Sequence, residues 1–177
     1  VTVLLAVFLV FGLRGVSPAT VIDFEDVPGA EPYGGTYIQD GYYGLNSDVF
    51  AVADGGISQP YSGYDYGTVS GDWIAFNSYA NVATIGGPDF DFNGAWFTGA
   101  WNDGLTINIQ GFNDGTLYYN ATFNVDTSGP IWFAANFPEV DELVFNSSGG
   151  TQNPNLAGSG THFVMDDFTF NQTPAVP

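Results

Sequence analysis

Two short stretches hold the side chains with the most chemistry to offer. "VIDFED" (21–26) carries Asp23, Glu25 and Asp26, and "VMDDFTF" (164–170) carries Asp166 and Asp167. Both otherwise read as apolar strands, where Asp is disfavoured and a buried, unpaired carboxylate is costly. Strand alternation puts Ile22, Phe24 and Asp26 on one face, with Asp23 and Glu25 on the other. In the second stretch it groups Asp166 with Val164, Phe168 and Phe170 on the face taken as inward. An inward Asp needs a partner, yet the chain has 19 acidic side chains and a single basic one, Arg14. A hard cation can satisfy several carboxylate and carbonyl oxygens at once, and calcium tolerates irregular oxygen cages. We therefore expect a structural Ca²⁺ held by Glu25, Asp26 and Asp166, with Asp23 and Asp167 as further ligands. The alternative is that both acidic pairs sit at strand ends and are solvated.

Other chemistries find less support. His162 is the only histidine, no Gly-x-Ser-x-Gly elbow is present, and neither a phosphate-binding loop nor a dinucleotide fingerprint occurs. With no cysteine, disulfides, thiol catalysis and cysteine-ligated metals are excluded. Among 19 acids, a pair suited to glycoside hydrolysis is uninformative, so a glycoside-active enzyme is the weaker alternative. A net charge of −18 repels nucleic acid and anionic lipid. Aromatic residues make up 17% of the chain, and several fall in irregular segments: Tyr42, Tyr43, Tyr61, Tyr64, Tyr66 and Trp73. Such rings can stack on the C–H faces of sugars while Asp and Asn bond the hydroxyls, so these six are the expected carbohydrate contacts.

The elements that must position these residues are strands. No 3.6-residue apolar period survives three turns without Gly or Pro. Strand-like runs recur from "VIDFED" to "HFVMDDFTF", about ten in all, separated by turn clusters. Asn102-Asp103-Gly104 and Asn113-Asp114-Gly115 carry hairpin-turn chemistry, which predicts a three-strand meander over residues 90–126. The expected fold is all-β, a two-sheet antiparallel sandwich of jelly-roll type, with its first and last strands side by side. Two longer loops, 54–72 and 147–160, are where ligand contacts are expected. The apolar run "VTVLLAVFLVFGLRG" followed by Ser17 and Ala19 matches a signal peptide cut after Ala19. The predicted organisation is a signal peptide over 1–19, a sandwich over 20–171 and a linker over 172–177. Removing residues 1–19 leaves no Lys or Arg.

The ordered series "DFED", "SGDWIAFN", "FDFNGAWFTGAWNDGLTINIQGFNDGTLYYNATFNVDTSGP", "VDELVFNSSGG" and "HFVMDDFTF" resembles the secreted ectodomain of bacterial PEP-CTERM sorting proteins. The tail "TPAVP" is similar to the approach to their Pro-Glu-Pro signal. The resemblance implies export by a Gram-negative cell that makes exopolysaccharide, a place at the cell surface or in biofilm matrix, and membrane attachment only through a C-terminal anchor beyond Pro177. It also implies a jelly roll like that of galactose-binding-type carbohydrate modules. In those a structural Ca²⁺ lies between an "FE" on the first strand and a "DD" on the last, matched here by Glu25 after Phe24 and by Asp166 with Asp167. The combined expectation is a secreted, non-catalytic protein whose partner is a polysaccharide or glycan. Self-association into a surface fibre or layer is the competing reading.

Overall fold

The computed structural model describes residues 19–171. The proposed signal peptide and the C-terminal linker lie almost wholly outside these residues. Twelve strands are formed: β1 Thr20–Ile22, β2 Thr36–Tyr37, β3 Asn46–Asp48, β4 Phe50–Asp54, β5 Trp73–Asn77, β6 Ala83–Gly99, β7 Asn102–Asp103, β8 Leu105–Asn113, β9 Thr116–Val125, β10 Ile131–Ser148, β11 Thr151–Gln152 and β12 Phe163–Phe170. Two single-turn helices, α1 Gly55–Ser58 and α2 Gly63–Tyr66, interrupt the 54–72 loop. Asp54 caps α1 by accepting from the Ile57 N–H, and Ser62 caps α2 by accepting from Tyr64.

The architecture is an all-β, antiparallel two-sheet sandwich, as expected. One hydrogen-bonded path runs β2-β4-β5-β12-β6-β10-β8-β9, with β1 added to β12 and β3 to β6. The path folds into two layers because β6 and β10 serve both. Their pairing shifts register between Ala134 and Phe137, Phe137 and Val140, and Val140 and Glu142. Asn136 and Glu139 take positive φ (50° and 54°) at these bulges, which bend and twist the strands. Phe50 of β4 meets Phe145 of β10 across the layers, with ring centroids 5.2 Å apart. Phe92 stacks on Phe168 at 4.9 Å. Phe97 and Phe163 complete a wholly buried centre. A second, smaller cluster of Ala53, Tyr64, Ile74, Trp101 and Val164 lies on the outer side of β5 and β12 beneath α1 and α2.

The first and last strands pair as expected, Thr20 with Phe170 and Ile22 with Phe168. The meander does not form as expected. Only its second turn makes a hairpin, β8 to β9, where Asp114 (φ 48°) and Gly115 (φ 70°) supply the two positive φ values of a tight two-residue turn. β10 inserts between β6 and β8. Asn102 and Asp103 instead pair with β11 in a separate two-stranded sheet.

Candidate functional site

β12 carries one extra residue at its centre, which β6 makes up one step later between Gly94 and Phe92. Asp166 opposes Trp96 and Thr169 opposes Gly94, so three steps on β12 match two on β6. Asp167, at φ 49°, is the extra residue of this bulge. The consequence corrects the alternation argument. Phe163 and Met165 face the main core, Val164 faces the small cluster under the helices, and after the bulge Phe168 and Phe170 face the main core again. Asp166 therefore falls on Val164's side of the strand and not on that of Phe168 and Phe170. It is nonetheless fully buried, with 0% exposure, beneath the chain that follows α2.

There its neutralisers are backbone amides. Asp166 Oδ2 accepts from Val69 N–H (2.7 Å) and Ser70 N–H (3.1 Å), and Oδ1 accepts from Asp167 N–H (2.7 Å). The Ser70 hydroxyl donates to Asp167 Oδ1. Two residues on, Glu25 Oε1 accepts from both Asp72 and Trp73 N–H, each at 2.7 Å. Asp166 on the last strand and Glu25 just after the first thus clasp the 69–73 turn by its amides, and Asp167 adds the Ser70 hydroxyl. Gly71, between the two grips, has φ +63°, and a Cβ there would lie 2.1 Å from Glu25 Oε1, so the clasp closes only over glycine. Burial pushes the Asp166 carboxyl up to about 7 against the pull of its three N–H donors.

The residues expected to hold calcium have partners within the chain. Asp23 Oδ1 accepts from Glu25 N–H, and Asp26 accepts from two tyrosine hydroxyls. Each of the five proposed ligands thus faces a protein donor. Among the described residues no group of three or more His, Asp or Glu side chains is gathered around one point as a metal would require. Several of these oxygens are thus already engaged by N–H and O–H donors of the chain.

The expected sugar contacts divide. Tyr42 and Tyr43 sit on a tight turn closed by Gly41 N–H to Leu45 O and Leu45 N–H to Tyr42 O. Their rings meet edge to face at 4.9 Å. The Tyr42 hydroxyl donates to Asp26 Oδ1 (2.6 Å) and the Tyr43 hydroxyl to Oδ2 (3.3 Å). Burial, with the Asp26 carboxylate, raises both phenol pKa values, so both remain protonated donors. With Pro28, Gln39, Asp40 and Gly41 these three residues line an open cleft of about 400 Å³. Asp40 Oδ1 is held by Ser47 N–H at the cleft's edge. Tyr61 and Tyr66 are exposed on the 54–72 loop but do not line this cleft. Tyr64 is buried between Phe76 and Trp101 and presents no free face, while Trp73 is half-buried against the main core. Sequence reasoning missed the role of Asp26 here, because nothing local links it to Tyr42. It also missed a second hollow of about 340 Å³ lined by Asp89, Asn113, Tyr118, Tyr119, Pro138 and Glu139. The positive φ that opens this hollow at Glu139 has no glycine to announce it.

No family model matches the chain, and no curated protein matches it. Solved structures do. A DUF4465 family protein from Bacteroides caccae aligns with a TM-score of 0.57 at 13% identity, covering 89% of this chain and all of that one. A second, from Bacteroides ovatus, aligns at 0.46 and 13% identity over 86% of this chain and 93% of that one. TmCBM61, solved in complex with β-1,4-galactotriose, aligns at 0.40 and 12% identity over 71% of this chain and 85% of that one. At these identities the first likeness speaks for the fold.

Proposed function

We propose that this chain is a non-catalytic carbohydrate-binding sandwich domain of a secreted or cell-surface protein, and that sugar is taken up at the Tyr42–Tyr43 cleft. The observation that carries the reading is the pairing of both tyrosine hydroxyls with one carboxylate. Asp26 fixes two rings in orientation before any ligand arrives, which lowers the ordering cost of binding. The Tyr43 ring, 43% exposed, offers a face to the C–H side of a sugar. Gln39 and Asp40 stand beside it as hydroxyl partners. A concave site with an aromatic platform and a few convergent polar groups is what small-ligand recognition asks for. Binding is favoured over hydrolysis because Asp26 is committed to the phenols. Export, PEP-CTERM-type sorting and a place in exopolysaccharide matrix accompany this reading as expectations from the leader-like and tail-like sequences.

The test is titration of the chain with a panel of soluble glycans that includes β-1,4-galacto-oligosaccharides, read by calorimetry. Tyr43→Ala should weaken the best ligand by at least about tenfold, the worth of one well-placed ring contact. Tyr66→Ala, on the exposed loop outside the cleft, should leave affinity unchanged. Absence of binding across the panel at millimolar sugar, or equal loss in both variants, would overturn the assignment.

A further inference from the structure

One side of the sandwich is unlike the rest. Sheets are normally protected at their edges by shortness, charge or cover. Here β1, β2 and β3 are only two or three residues long. β9 is ten residues long and, among the described residues, pairs with β8 alone. Its sequence, "TLYYNATFNV", contains no charged residue and no proline. Beside it, the first half of β10, "IWFAANF" (131–137), pairs among the described residues only with β6 and is equally uncharged. The two free edges flank one opening of the sandwich, bridged by Phe123 stacked on Phe133 (4.3 Å) and Tyr119 stacked on Phe137 (4.7 Å). Of these four rings only Phe137 is fully buried. Leu117, Tyr118, Ile131 and Trp132 add exposed apolar surface at 40–64%.

Two strand runs without an acid, 116–125 and 131–137, stand out in a chain of net charge −18. A cationic partner would be drawn to the acidic remainder of the surface. The partner for which this side is the favoured approach is one that is repelled everywhere else, and that describes another molecule of the same chain. We infer that β9 is a self-association edge, and that two copies join through antiparallel β9–β9′ pairing about a two-fold axis. Such a contact is isologous and closes on itself. It extends the sheet across both molecules along about 34 Å of edge, at 3.4 Å per residue. It also covers the part-exposed Tyr119 and Phe123 rings. The Tyr42–Tyr43 cleft takes no part in it, so the two readings stand or fall separately.

Sedimentation of the chain over about 5–200 µM in 0.15 M NaCl tests the contact. Asn120→Asp with Asn124→Asp is the informative variant. Asn120 accepts from Asn108 Nδ2 (2.6 Å) and Asn124 from the Thr106 hydroxyl (3.0 Å), both through Oδ1, so the carboxylates retain both bonds while bringing four charges to the joined edge. We expect a dimer in the wild type, slowed amide exchange along β9 as concentration rises, and a dissociation constant raised at least about tenfold in the variant. The dimer should return in 1 M salt, where the screening length falls to about 3 Å. A monomer at every concentration, open-ended fibres, or a dimer indifferent to the two substitutions would overturn the inference.

Discussion

Glu25 and Asp26 are neighbours in sequence and belong to regions with opposite tasks. Glu25 turns to the 69–73 chain and bonds two backbone amides, as Asp166 does from the other side. Asp26 turns to the Tyr42–Tyr43 cleft and bonds two side-chain hydroxyls at the surface. In the clasp Asp166 is buried, and its loss leaves part-buried N–H donors short of an acceptor, whereas Glu25 and the amides it bonds lie at the surface. In the cleft water can replace the carboxylate, and what is lost is ring orientation. The comparison teaches that two acids one position apart can take different kinds of partner, main-chain amides that hold a turn for Glu25 and tyrosine hydroxyls that hold rings for Asp26.

The strongest way to break the comparison is to remove one carboxylate from each region. Asp166→Ala leaves the amides of Val69, Ser70 and Asp167 without an acceptor beneath the helices. At about 1–3 kcal/mol for each stranded donor, less what entering water recovers, we expect a loss of about 4 kcal/mol at pH 5.5. Urea unfolding measures it, and glycan affinity of the folded fraction should be unchanged. Asp26→Ala should do the reverse: stability within about 0.5 kcal/mol of the wild type, and sugar affinity clearly weakened. If both variants lose stability alike, the two regions form one structural unit and the contrast is false.

How much of this was legible follows from the range of each signal. Strand composition and turn chemistry act locally, so the all-β class and the β8–β9 hairpin at Asp114-Gly115 could be read directly. Pairing of β1 with β12 was legible because it is a property of the architecture. The insertion of β10 between β6 and β8 was not, since nothing within residues 90–126 reveals what a strand 30 or more positions later will do. The five acids were singled out because they break local preference. Their partners could not be read, because a backbone N–H has no letter in the sequence. Val69 and Ser70 are nearly a hundred positions from Asp166. Alternation also failed at Asp167, where a bulge built on Asp rather than Gly gives no warning.

A gentler separation of the two regions uses protons. Asp166 has a folded pKa near 7, above the ordinary carboxylate value of 3.8. Between those values the folded chain holds more protons than the unfolded one at this site, so its contribution to stability falls as pH rises through the window and is level above it. We expect about 2 kcal/mol of lost stability from pH 5 to pH 8 in the wild type, and a flatter profile in Asp166→Asn. Asp103 works in the opposite sense and lower down: its bonds from Thr127 hold its pKa below the ordinary value, which favours the fold above about pH 4. Glycan binding at the cleft should show no step near pH 7. A step there would tie Asp166 to the site.

The smallest expected effect decides whether the clasp needs an ion. Calcium and backbone amides compete for the same lone pairs. A cation bound between Glu25 and Asp166 would need their oxygens turned away from the amides of 69–73, or else would stand beside N–H groups whose partial positive charge repels it. With three N–H donors on Asp166 and two on Glu25 Oε1, the chain itself meets part of the need of these carboxylates, and we propose that the clasp holds without a metal. Excess chelator should therefore move the melting temperature by less than about 1 °C, well under the several degrees that 1 kcal/mol produces in a domain of this size. Added calcium should leave the Asp166→Ala deficit in place. A fall of several degrees on chelation, reversed by calcium and absent in Asp166→Asn, would mean that the amides yield to an ion at this site. The clasp would then be the metal-free form of a calcium centre rather than its replacement.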